Sequence, residues 1–442
     1  MDKTKLLEQE KIPKLILRYS IPAIAGMLVN AVYNIVDRIF IGNSDIGKLG
    51  IAGITIAFPI MMIIMGIIFL LSHGGSILFS MRLGEKKKDE ASKVLATVCI
   101  VLLTAGSIIA ILGIIFIDPL LKLFGSSNDV LPYARDYLFI IFLGVPFQCV
   151  GVGLNNFIRA DGFPKTAMIT MFIGGIINII LDPVFIYLFG MGMKGAALAT
   201  IIGQAVSGIW VLLHFTGKKC TVKLNVKSSN QNISIIPIVI SYGIPSFIVQ
   251  VAGSLMNVVL NNRLGLYGGD IAVAGMGTVN SLASLLIMPV IGLVQGVQPI
   301  ISYNFGAERH DRVRKALFIA IISSTSIVTI GFILVQLFPT QLVSMFGKEP
   351  DLVAFGSRAL KKWFLCLPFV GFQITGSNFF QAIGRPRISI FLTMTRQILF
   401  LIPSILILSS IFGLDGIVYS GAISDFLASF TTGICLLSAL KT

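Results

Sequence analysis

The sequence predicts an all-α integral membrane protein: twelve transmembrane helices in two parallel-repeat, six-helix lobes. Three observations predict it. Hydrophobic residues fill 55% of the 442 positions and charged residues only 12%, about half the charge of a soluble domain. Twelve apolar runs are each long enough to cross roughly 30 Å of hydrocarbon. The chain is also written twice, since Gly74, Ser80, Gly84 and Lys93 return without a gap as Gly296, Ser302, Gly306 and Lys315.

In chain order the runs fall at 14–41, 51–83, 91–117, 133–159, 165–189 and 194–215, then again at 234–263, 271–305, 312–338, 353–382, 387–411 and 416–440. Acidic and basic residues alternate ahead of the first run, and no small-residue cleavage site follows it. That is not the pattern of a signal peptide, so the first run is expected to stay in the protein. Runs 4 and 10 carry the same echo, Pro146-Phe147, Asn156-Phe157, Ala160, Gly162 and Pro164 returning as Pro368-Phe369, Asn378-Phe379, Ala382, Gly384 and Pro386. The longest polar stretch, 218–233, sits where the repeat begins again. It reads as a linker between an N-terminal lobe, 1–217, and a C-terminal lobe, 234–442. Six spans per half is an even number, so the second copy enters the bilayer in the same direction as the first, and a half-chain repeat of this kind points to a transporter.

Orientation follows from the cations, which are retained on the cytoplasmic side. Connections on the side of the N-terminus, including Arg159 with Lys165, hold 23 Lys and Arg, against 10 on the other side with span ends counted. Both termini are expected to be cytoplasmic. The same distribution disposes of the net charge of +14, which lies in short loops and forms no basic domain for nucleic acid. Cys99, Cys149, Cys366 and Cys435 lie inside runs and Cys220 in a loop, so no disulfide framework or metal spacing is present. Gly190-Met-Gly192-Met-Lys-Gly195 spells a dinucleotide fingerprint but has no strand before it. No phosphate-binding loop, nucleophile elbow or histidine ligand spacing is present, and no enzyme is expected.

An ionisable residue within the bilayer is costly and marks function by default. Of 20 acidic residues 17 lie in loops, tails or at span ends, and only Asp37, Asp182 and Asp425 lie deeper inside runs. At about 1.5 Å of rise per residue, Asp37 and Asp182 lie roughly 6 and 10 Å below the outer ends of runs 1 and 5. Asn178 precedes Asp182 by four residues and shares its face; Thr200 returns at similar depth in run 6. Two carboxylates, an amide and a hydroxyl at one level can hold a proton or a small hard cation. Each has a plainer role open to it: Asp37 can pair with Arg38, and Asp182-Pro183 can mark a helix kink. Asp425 and Arg396 both come to mid-depth and are expected to form a structural ion pair.

Val32-Tyr-Asn-Ile-Val-Asp-Arg-Ile-Phe-Ile-Gly42, Asn178-Ile-Ile-Leu-Asp-Pro-Val-Phe-Ile186 and Gly195-Ala-Ala-Leu-Ala-Thr200 resemble the multidrug and toxic compound extrusion (MATE) family in its bacterial MepA-like branch. The resemblance covers essentially the whole chain. It implies two six-helix lobes in a V around a central cavity, and export of lipophilic organic cations in exchange for H⁺ or Na⁺, with no cofactor. Carried over, it makes Asp37 the coupling carboxylate, Asn178, Asp182 and Thr200 its partners, and Pro22 the position where span 1 bends. Where the NorM-type branch has carboxylates in its second lobe, this chain offers Gln250, Asn257 and Gln373, which argues against a cation site there. The cavity between the lobes is expected to be lined by spans 1, 2, 7 and 8, with Tyr33, Asn34, Gln250, Met256, Asn257, Asn280 and Met288. Methionine and aromatic side chains suit varied flat cations. The partners expected are lipophilic cationic small molecules and the lipid bilayer of the plasma membrane, with the chain working as a monomer. The alternative is a flippase or exporter of a lipid-linked or amphipathic metabolite, which would need a cationic cavity. The sequence leaves H⁺ or Na⁺ open.

Overall fold

The computed structural model describes residues 4–44, 47–225, 233–346 and 349–441. Among the described residues every regular element is a helix, and nine helical segments are long and apolar enough to cross a membrane. Ile111, Ile115, Phe318, Ile330 and Leu437 are each more than half exposed. In water such a belt of large apolar side chains would drive aggregation, and in lipid it is the natural outer surface. The chain is a multi-pass membrane protein.

The first half follows the expected order: span 1 is Ile12–Gly42, span 2 Gly47–Gly84, span 3 Lys88–Ile115, span 4 Leu131–Ala160, span 5 Pro164–Leu188 and span 6 Gly192–Thr216. The second half keeps the expected runs, with two of its connections reduced to breaks inside a continuous helix and run 10 divided. Ile236–Gly306 is helical for 71 residues, about 106 Å of helix and far more than one crossing. It breaks at Gly269 (φ 62°, ψ −162°), a conformation that costs glycine little and other residues a good deal. Residues 236–268 and 270–306 are therefore two arms, and both return to span 2. The expected loop between runs 11 and 12 is likewise a break at Gly413 (φ 57°, ψ −132°) within Ile402–Lys441, and Gly416 lies back against the Leu408 carbonyl. Run 10 is two helices, Pro350–Trp363 and Leu367–Ala382. The first ends in Lys361 and Lys362, and Pro368 opens the second because its missing N–H is tolerated in a first turn.

The repeated glycines form the seam between the halves. A Cβ on Gly74 of span 2 would overlap the Val239 carbonyl on the first arm of the second half, and Gly243 on that arm meets Leu70 in return. The counterpart of Gly74, Gly296 on the second arm, lies against span 1, where a Cβ would come within 2.7 Å of Ser20 Cα. Gly84 touches the Tyr303 carbonyl and Gly306 the Met81 carbonyl, a reciprocal pair. All of these lie toward the end carrying the N-terminus, whereas Gly253, Gly265 and Gly277 have open space around them. Small residues permit such backbone approach between membrane helices. Span 1 runs as one helix through Pro22, the expected hinge position.

Candidate functional site

Two adjacent glycines on span 5 bring three helices together. A Cβ on Gly175 would sit 3.1 Å from Val29 Cγ1 and 3.4 Å from Tyr33 Cδ1 of span 1, while Gly174 packs on span 6 at Ser207 and Gly203. Span 6 answers with its own small residues, Ala196, Ala197 and Ala199, all buried, and Gly195 presses on the Phe185 backbone at the hairpin. Tyr187 fixes the far end of span 5 to span 1, its hydroxyl donating to the Phe40 carbonyl at 2.7 Å.

This packing assembles the polar cluster. Asn178 Nδ2 donates to Asp182 Oδ1 and to Thr200 Oγ1, each at 3.3 Å, and the Thr200 hydroxyl donates to the Ala196 carbonyl at 3.0 Å. The amide so joins the Asp182 carboxylate to the Thr200 oxygen. Asp182 is fully buried and Asn178 nearly so, yet Asp182 Oδ2 and Asn178 Oδ1 accept no hydrogen bond among the described residues. Asp37, also buried, lies within electrostatic reach of Asp182. Immediately after Asp182-Pro183 the helix widens into a π turn, Val184–Leu188, closed by the Phe189 amide on the Val184 carbonyl. Proline removes a donor from the ladder, and π turns of this kind recur at functional sites. The side chain of Arg38, the plainer partner considered for Asp37, lies outside the described residues, as does that of Asn34.

Below the cluster, along span 5, runs a cavity of about 180 Å³ lined by Thr170, Met171, Gly174, Gly175 and Asn178. Span 1 contributes Met27, Asn30 and Tyr33, span 2 Met65 and Phe69, span 4 Gln148, Asn155, Asn156 and Arg159, span 6 Thr200, Gly203, Gln204 and Ser207, and the second half a single described residue, Gln295. Of the residues expected to line a cavity between the lobes, Tyr33 alone among the described ones reaches this one. Gln250, Met256, Asn257, Asn280 and Met288 are half-buried on the two arms of Ile236–Gly306, and Gln250 Nε2 donates to Met62 Sδ at 3.4 Å. In the second half Arg396 Nε donates to Asp425 Oδ1 at 2.9 Å, and Gln373 is buried with its amide on the Leu392 carbonyl. No group of three or more His, Cys, Asp or Glu able to hold a metal occurs among the described residues.

Arg159 corrects the sequence reading. Counted among the loop cations, it is instead 4% exposed and lines the cavity. It donates to Gln295 Oε1 at 2.5 Å and to Asn155 Oδ1 at 2.6 Å. The signal that could have found it is a break in the repeat: the counterpart of Arg159 in the doubled Asn-Phe-x-x-Ala segment is Gln381, uncharged, with its amide on the Tyr242 carbonyl and Ser246 Oγ. Its neighbour Asp161 is fully buried and holds the start of the linker, accepting from the Thr221 amide at 2.9 Å and the Val222 amide at 3.1 Å.

Comparison with known proteins matches the family model MatE to residues 22–184 and again to 245–407, the same doubling the repeat marks. The multidrug export protein MepA of Staphylococcus haemolyticus is 31% identical over 96% of this chain and 93% of its own. Among solved structures, the MATE multidrug transporter DinF-BH is 38% identical, with a TM-score of 0.91 over 97% of this chain and 96% of that one. An outward-facing MATE family transporter of the MOP superfamily, 26% identical, superposes with a TM-score of 0.93 over 100% of this chain and 99% of that one.

Proposed function

The chain belongs to the MatE family, and on that premise we propose that it is a multidrug antiporter, exporting lipophilic organic cations in exchange for H⁺ or Na⁺ by alternating access. Asp37, Asn178, Asp182 and Thr200 form the cation-coupling site. The observation that carries this is the Asn178 amide joining Asp182 to Thr200, with Asp37 in reach, deep in a packed helix trio. Out of water a bare carboxylate is costly, so a proton or a cation accompanies it. Each inward charge brings about 2.3 kcal/mol per 100 mV, enough to bias two conformations a few kcal/mol apart.

With the arms parted at Gly269 and Gly413 and the two helices of run 10 taken as one crossing, the segments amount to twelve spans. The lobes are 1–217 and 234–442, joined by 218–233, with both termini cytoplasmic and the chain a monomer. Packing at the N-terminal end and open space around Gly253, Gly265 and Gly277 support an outward-open state, in which Gln250, Met256, Asn257, Asn280 and Met288 face the drug path. Span 1 would bend at Pro22 when the state changes. The test is ethidium efflux from cells or proteoliposomes. Asp37→Asn and Asp182→Asn are each expected to lower gradient-driven efflux at least about tenfold, the size of one lost buried charge interaction. Normal efflux in both variants would sink the coupling assignment, and efflux indifferent to both ΔpH and a Na⁺ gradient would sink the antiporter reading.

A further inference from the structure

Arg159 is the one charged side chain among the described residues lining the cavity, and no carboxylate among the described residues pairs with it. A buried guanidinium carries five N–H donors. Its bonds to Gln295 and Asn155 take two of them, and Nε, fully buried, has no hydrogen-bond partner among the described residues. Asp161, two residues on, is committed elsewhere, to the linker amides and to His214 at 3.6 Å. A bare buried cation is expensive to keep. An anionic oxygen would compensate it, and a guanidinium fork is well shaped for one.

The rest of the cavity states what that anion is attached to. From Thr170 to Asn178 along span 5 is eight residues, about 12 Å, and this middle stretch is walled by Met27, Met65, Met171, Phe69 and Tyr33. At its far end stand Asn178 and Thr200, with Asp182 bonded directly behind. We propose that the cavity is a polarised binding site for zwitterionic amphiphiles, with a carboxylate on Arg159, an apolar body against the methionines and aromatics, and an amine at the Asn178–Asp182 end. The amine end rests on the reading of Asp182 as a cation site; the carboxylate end does not.

Binding to the purified full chain in lipid nanodiscs, measured by isothermal titration calorimetry, tests this with 11-aminoundecanoate and its methyl ester, which differ only in the anion. The wild-type chain is expected to bind the acid about tenfold or more tighter than the ester. Arg159→Gln should bring the two within about twofold by weakening the acid far more than the ester, and Arg159→Lys should keep part of the preference. Equal affinities in the wild type, no binding of the acid, or a preference that survives Arg159→Gln would each overturn the proposal. Should Arg159→Gln not fold, the wild-type pair and Arg159→Lys decide it. Ethidium efflux lost in Asp182→Asn bears on the coupling reading alone, so the two can fail separately.

Discussion

At the residue scale the clearest lesson is how much a single buried carboxylate can organise. Burial pushes Asp161 above the usual carboxylate range, opposed by His214 and by the Thr221 and Val222 amides. A carboxyl whose value is raised on folding favours the folded state while protonated. Stability therefore falls as pH climbs from the ordinary carboxylate range through the raised value. Asp161→Asn should flatten that slope. It should also lower stability by about 1–3 kcal/mol at neutral pH, because the Thr221 and Val222 amides bond different carboxylate oxygens and in asparagine one of those positions becomes an Nδ2 donor facing a donor; thermal unfolding of the two proteins across pH reads both effects. Asp37 and Asp182 were legible in the sequence because an acid inside an apolar run is conspicuous. Arg159 was not, because an arginine at a run's end reads as a loop cation until its side chain is seen turned inward.

At the scale of elements, the cation-site candidate depends on spans 5 and 6 approaching closely enough for a 3.3 Å amide bridge. That approach is made by glycines and alanines without polar chemistry of their own. A Cβ on Gly203 would stand 2.7 Å from the Gly174 carbonyl, where neither backbone can yield without moving its helix. Gly203→Val is expected to separate spans 5 and 6, part Asn178 from Thr200 and abolish efflux as thoroughly as Asp182→Asn, with a stability loss of about 1–3 kcal/mol. Full efflux from a folded Gly203→Val protein would show that the bridge is dispensable. The span ends were readable from apolar length. The breaks at Gly269 and Gly413 fall in the gaps between runs, but that a single glycine makes each turn with no loop was not readable, since a glycine at the edge of an apolar stretch looks the same whether a loop follows or the helix doubles back.

At the scale of the whole molecule, the halves meet through the glycines that recur between them, Gly74 with Gly296 and Gly84 with Gly306. A larger residue there should disfavour the packed arrangement at the N-terminal end. Ser20, 3% exposed and donating to the Leu293 carbonyl across the seam, reports on it. In a Ser20→Cys background, Gly74→Val is expected to raise the rate of labelling by a polar thiol reagent several-fold, and an unchanged rate would mean that the seam does not govern access. By itself the sequence determined the membrane class, the doubling and the isolation of three acids, because these follow from composition and from one-dimensional spacing. Only the tertiary structure decided which partners those acids find, that the described cavity is walled almost wholly by the first half, and that Arg159 looks into it. Those are matters of helix rotation and approach, and a backbone carbonyl meeting a glycine from a segment more than a hundred residues away leaves no trace in either stretch of sequence alone.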